Sequence, residues 1–143
     1  MASFSHTITV PTPPGEVFPW LLEEDKVPQW TTRLKAYEVL GGGAIGNGTR
    51  IRQVLTVGGQ ALDIELEITR YDPPGFAGSR FSTNGLEVET TYALRAAGAG
   101  TELMQTLEGK PNGFKARLLV PVVQPKLEAK LTEDLERLRE LLS

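Results

Sequence analysis

Strand-like alternation fills most of this chain, and an apolar stripe at helical spacing closes it. FSHTITV, from Phe4 to Val10, reads as a first strand that PTPPG ends. PGEVFPWLLEE then predicts a short helix, with Pro14 suited to a first turn. DKVPQW predicts a second short helical or turn segment ending at Trp30. Further strands are predicted at about 33–40, 49–57, 60–71, 76–83, 86–96 and 101–110. From about Phe114 to Leu142 the chain reads as helix, because Leu127, Leu131, Leu135, Leu138 and Leu142 recur at three- and four-residue steps. Pro121 and Pro125 interrupt its first half and predict a kink there.

The turns set the strand registers. Gly58-Gly59 and Asn84-Gly85 are two-residue hairpin signals. The first sets Ile51 opposite Leu66, Gln53 opposite Ile64, Arg50 opposite Glu67 and Arg52 opposite Glu65. The second sets Phe81 opposite Val88, Arg80 opposite Glu89 and Ser79 opposite Thr90. DPPG at Asp72–Gly75 pairs Glu67 with Arg80, and the Gly98-Ala99 turn pairs Tyr92 with Gln105 and Leu94 with Leu103. All four hairpins agree on faces. One side carries Arg50, Glu67, Arg80 and Glu89 in a row, a solvated face of opposite charges. The other carries Ile51, Leu66, Phe81 and Val88, and an antiparallel sheet with one apolar face needs a cover. The terminal helix can supply it.

Composition narrows the chemistry. The 143 residues fit one domain, 1–143, with 40% hydrophobic and 23% charged residues, an ordinary globular balance. A net charge of -3 weighs against a nucleic-acid partner, which would leave a basic footprint. No apolar run approaches the ~20 residues that cross a bilayer, so stable membrane insertion is not expected. MASFSHTITVPTPP lacks the features of a signal peptide, and a cytoplasmic location is the default expectation. Without cysteine there is no disulfide framework or zinc-thiolate site, and the single His6 leaves little room for histidine chemistry.

Two motifs invite a sharper reading and fail it. GGGAIG at Gly41, Gly43 and Gly46 satisfies G-x-G-x-x-G, but a phosphate loop must open a helix, and here TRIRQVLTV follows as a strand. Asp63, Glu65 and Glu67 share a face at two-residue spacing. Hard cations need oxygen ligands converging from several directions, whereas strand neighbours stand parallel, and arginines opposite already account for these acids. No metal and no cofactor are expected. His6 has no evident acid or nucleophile beside it.

The order of elements resembles the START-like superfamily, also called SRPBCC: a strand, two short helices, six antiparallel strands and one long C-terminal helix. PTPPGEVFPWLLEEDKVPQW resembles the family's proline-started opening with its tryptophan. GNGTRIRQ resembles the glycine-to-basic start of a strand, ITRYDPPG a strand-end turn, and LEAKLTEDLERLRELL the final helix. Within the superfamily the chain is most similar to bacterial polyketide cyclase/dehydrase-like proteins. The resemblance implies an α+β helix-grip fold, a seven-stranded curved antiparallel sheet wrapped around the long helix with a hydrophobic cavity between them. It also implies a small hydrophobic partner, such as a lipid, an aromatic compound or a polyketide. Fold alone does not decide between binding, cyclase or dehydratase catalysis, and a protein-interaction role.

The candidate site follows from the registers. Arg70, Ala77, Tyr92 and Gln105 form a polar-edged row on the apolar face, with Gln53 further along it. Arg70, Tyr92 and Gln105 could orient a ligand, although Arg70 near a strand end could equally reach water. Ile51, Leu66, Phe81, Val88 and Thr90 are expected as walls. The resemblance places Trp30 near the cavity mouth, where its indole could stack on a flat ligand or serve simply as core, and Tyr37 is a further candidate. Leu118, Leu119, Val122 and Val123 on the first half of the helix are expected to close the pocket. A monomer or weak homodimer is expected.

Overall fold

The structure, a computed structural model, describes residues 2–143. Its strands are β1 (Ala2–Val10), β2 (Leu34–Val39), β3 (Arg50–Val57), β4 (Gln60–Asp72), β5 (Phe76–Thr83), β6 (Leu86–Ala97) and β7 (Gly100–Pro111). They form one antiparallel sheet in the order β1-β7-β6-β5-β4-β3-β2. Between β1 and β2 lie α1 (Pro14–Val17), a 3₁₀ turn (Phe18–Leu21) and α2 (Val27–Trp30). The expected first helix thus divides at Pro19, which has no N–H to continue an α ladder. The long helix α3 (Phe114–Leu141) is continuous, with Pro121 and Pro125 inside it. It touches β1 and β7 at one side of the sheet and β3 at the other, so the sheet curls around it.

The hairpin turns act as the sequence requires. Gly58 and Gly59 have φ of 58° and 80°, and Asn84 and Gly85 have 50° and 80°, left-handed pairs whose twist matches that of the flanking strands. The registers follow: Ile51 sits opposite Leu66, Phe81 opposite Val88, and Tyr92 opposite Gln105. On the outer face the ion pairs run diagonally. Arg50 binds Glu65 at 2.8 Å, and Arg52 grips Asp63 with two bonds of 2.7 and 3.1 Å, although Glu67 and Glu65 are the residues directly opposite. Strand twist brings the diagonal neighbour within reach of a long arginine.

One register slips. Between Ile68 and Arg70 the β4–β5 ladder contains a bulge, which sets Arg70 opposite Gly78 and Tyr71 opposite Ala77. An inserted residue inverts every side chain beyond it. Tyr71 therefore turns inward, with its ring edge-on to Phe18 at 5.5 Å. The core between sheet and helix centres on Ile51, Ile68, Leu103, Leu135 and Leu138. All of its α3 members other than Ala116 come from the second half of the helix.

Candidate functional site

A cavity of about 130 Å³ lies between the inner sheet face and α3. Its apolar walls include Leu66, Phe81, Ile64 and Leu107 from the sheet and Leu127 and Leu131 from the helix. Trp30 and Leu22 also line it. The space suits roughly one six-membered ring, since an apolar cavity of ~150 Å³ can take benzene.

Polar groups interrupt these walls on both the sheet and the helix. Tyr92 and Gln105 are neighbours across β6 and β7, and the Gln105 Nε2 donates to the Tyr92 hydroxyl at 3.3 Å. The Gln105 Oε1 is buried and has no partner within the protein. Turning the amide over would let Tyr92 donate to oxygen and would leave the nitrogen unpaired instead. Either way one amide atom at the cavity lacks a hydrogen bond, a condition that costs about 1–3 kcal/mol.

Facing them from α3 is a buried ion pair. Lys130 Nζ donates to Asp134 Oδ2 at 2.6 Å and to the Thr32 carbonyl at 2.7 Å. Asp134 Oδ1 accepts from the Thr32 amide at 2.8 Å and from its hydroxyl at 2.6 Å. Both charged side chains line the cavity and are nearly excluded from solvent. Their partners fasten the segment after α2 to α3, and an exposed Arg33–Glu133 pair at 3.2 Å reinforces that clasp.

Both cavity tyrosines stay neutral. Burial pushes the Tyr92 phenol well above its usual value, and the nearby Asp134 charge adds to the effect. Burial also raises Tyr37, helped by Tyr92 and Glu24, and its hydroxyl donates to the Leu22 carbonyl at 2.6 Å. These groups are hydrogen-bond donors rather than bases at physiological pH. A raised folded-state pKa means the unfolded chain loses its proton first. Stability from these tyrosines is complete below about pH 10 and falls as pH rises beyond it. In a Tyr71→Phe variant, phenolate absorbance should therefore appear only together with loss of the helical circular-dichroism signal. Ionisation inside a still-folded protein would contradict the burial.

Of the residues picked from sequence, Trp30, Tyr37, Gln53, Leu66, Phe81, Thr90, Tyr92 and Gln105 line this cavity. Trp30 is buried, and its indole donates to the Trp20 carbonyl at 2.8 Å, which fixes the ring as a wall. Ile51 faces inward but is wholly enclosed by core. Val88 lines a separate void of about 20 Å³ against Val120 and Gln124. Arg70 does not reach the cavity: the bulge turns it outward, where it pairs with Asp72 and lies 4.4 Å over the Phe76 ring. Leu118 and Val122 do not close the pocket either, because both point to solvent, and in the first half of the helix it is Val120, Gln124 and Leu127 that line a void against the sheet. His6 does have an acid beside it, Glu136, at 2.8 Å, although the pair stands outside the cavity lining. Hydrogen bonds from His6 and Arg139 hold the Glu136 carboxyl below its ordinary range.

Lys130 and Asp134 were missed from sequence. The available signal is that both project into the arc of Leu127, Leu131 and Leu138, where a charged pair one turn apart has no solvent to face. The glycine stretch leads into β3 rather than a helix, and Asp63, Glu65 and Glu67 each bind an arginine.

Residues 1–143 match the family model described as polyketide cyclase / dehydrase and lipid transport. The chain belongs to this family. Solved structures agree on the fold. The protein TTHA0849 from Thermus thermophilus superposes with a TM-score of 0.79 at 20% identity, covering 97% of this chain and 95% of its own. A START superfamily protein from Mycobacterium smegmatis gives 0.77 at 16%, covering 99% of each chain. The Zhui aromatase/cyclase from Streptomyces sp. R1128 gives 0.79 at 17%, covering 99% of this chain and 93% of its own. No curated protein sequence matches the chain significantly. Membership in the polyketide cyclase / dehydrase and lipid transport family thus rests on the family match, and the superpositions add the helix-grip fold.

Proposed function

We propose that this family member binds a small hydrophobic molecule that carries a ring and one polar end, held between the sheet and α3. The observation that carries the reading is the unpaired amide atom of Gln105 in the lining of a cavity whose other buried polar groups, Tyr92, Lys130 and Asp134, have partners. Buried polar groups are nearly always paired, and a ligand hydroxyl, which both donates and accepts, would satisfy either orientation of that amide. Apolar contact with Leu66, Phe81 and Leu131 would supply most of the affinity, at roughly 25 cal/mol per Å² of apolar area buried. The family description, which includes lipid transport, is consistent with such a cargo.

The test combines native and denaturing mass measurement, organic extraction, and a titration with phenolic ligands. Replacing both polar partners, Gln105→Met with Tyr92→Phe, should leave stability unchanged or higher, because no orphan remains. The same double variant should bind phenols about tenfold more weakly, the worth of one hydrogen bond. A stability loss of several kcal/mol would instead mark the pair as structural and overturn the reading.

A second reading, catalysis on a polyketide-like chain, is favoured by the neutral Tyr92 phenol standing near the Lys130–Asp134 pair. Holding a reactive chain in a productive conformation can carry much of such a reaction, with Tyr92 as proton donor. Tyr92→Phe separates the two: binding would weaken modestly, whereas turnover would fall by on the order of 10²-fold or more.

A further inference from the structure

The first half of α3 exposes a row of large apolar side chains. Phe114, Leu118 and Val122 follow one another at single-turn steps and are 76%, 61% and 56% exposed. Leu119 beside them is also exposed. Pro121 and Pro125 project from the same side. An isolated exposed leucine needs no explanation, but a continuous apolar row on one helix does.

The charges around the row say what meets it. At about 3.6 residues per turn, Lys115 and Lys126 flank the row on one side and Arg117 on the other, with the Lys126 side chain lying beside Gly58 of the β3–β4 turn. All three are exposed and, among the described residues, none pairs with a carboxylate. Most other cations do, including Arg50, Arg52, Arg80 and Arg95 on the sheet. No acidic residue lies between Glu108 and Glu128, although the whole chain carries a net charge of -3. A convex apolar ridge edged by cations on both sides has the build of a helix that lies in a membrane interface. Pairing the ridge with the same ridge of a second copy would bring both sets of cations together, which is unfavourable.

We propose that the segment Phe114–Lys126 docks this protein on an anionic bilayer surface, with its apolar row seated at the headgroup boundary and Lys115, Arg117 and Lys126 against lipid phosphates and carboxylates. The contact is peripheral, since no helix in the described residues is long and apolar enough to cross a membrane. It depends on the outer side of α3 alone and not on what the cavity holds, so it can fail or succeed independently of the ligand reading.

Flotation with vesicles of phosphatidylcholine and phosphatidylserine, against phosphatidylcholine alone, tests it. The wild-type chain should float with the anionic vesicles at low salt and separate from them as salt screens the charges. Each cation near such a surface is worth roughly fivefold in partitioning, so the triple variant Lys115→Gln, Arg117→Gln, Lys126→Gln should lose on the order of 100-fold. Leu118→Glu should abolish flotation while leaving the unfolding midpoint unchanged, and Val122→Asp provides a second variant should Leu118→Glu disturb folding. Three results would overturn the proposal. One is absence of wild-type binding to the anionic vesicles. Another is equal binding by the folded variants. The third is a solution dimer that Leu118→Glu dissociates, which would give the ridge to a second copy.

Discussion

Asp134→Ala is expected to cost about 3–5 kcal/mol of folding stability, a large fraction of what a domain of this size possesses. Asp134 is 6% exposed and accepts three hydrogen bonds, from Lys130 and from both donors of Thr32. Its removal leaves the Lys130 ammonium buried with only the Thr32 carbonyl for company. The order of the pair, with lysine one turn N-terminal to aspartate, is the less favourable one for an isolated helix, so its role is not to support helicity. The bonds to Thr32 supply the better explanation, because they tie the segment after α2 to α3 beside the cavity. Replacing the pair together, Lys130→Met with Asp134→Leu, removes both charges and should recover much of the loss. Equilibrium urea unfolding of the two single variants and the double variant measures the coupling. A single variant as stable as the wild type would show that the pair is solvated.

Leu135→Ala is expected to cost about 2–5 kcal/mol, whereas Leu118→Ala on the same helix should change stability by less than about 0.5 kcal/mol. The residue type and the helix are the same, and the surroundings differ. Leu135 is 0% exposed and packs in the central cluster with Leu103 and Leu138, so truncation opens a cavity in close-packed core. Leu118 is 61% exposed and has little packing to lose. The contrast also reports on the helix as a whole. The second half of α3 is the element the sheet grips, and the first half contributes Ala116 alone to the fully buried set. Unfolding midpoints of the two variants decide it. Similar losses at both sites would mean that the first half packs against something in solution.

The fold was legible because its signals are local and redundant. Gly58-Gly59 and Asn84-Gly85 fix two hairpins, and alternation along β3, β4, β5 and β6 assigns the same faces that the turns assign. Tyr92 and Gln105 came to the cavity by that arithmetic alone. Arg70 did not, because a single inserted residue near Thr69 inverts the strand beyond it, and nothing in ITRYDPPG announces a bulge. The helix was harder still. Its leucine stripe marks the gripped half, but the rotation of the first half against the sheet cannot be read from a segment in which Leu118, Leu119, Val120, Val122 and Val123 are apolar nearly all round.

The sequence by itself thus determined the seven strands, the registers of the β3–β4, β5–β6 and β6–β7 hairpins, the charged outer face and the helix that covers the inner one. These follow from periodicity and turn geometry, which act over a few residues. The tertiary structure alone decided that Lys130 and Asp134 face the cavity and clasp Thr32, that Tyr71 rather than Arg70 turns inward, and that Gln105 keeps an unpaired amide atom. Each of those depends on distances between groups far apart in the chain, such as Thr32 and Asp134, and no local pattern encodes a separation in space.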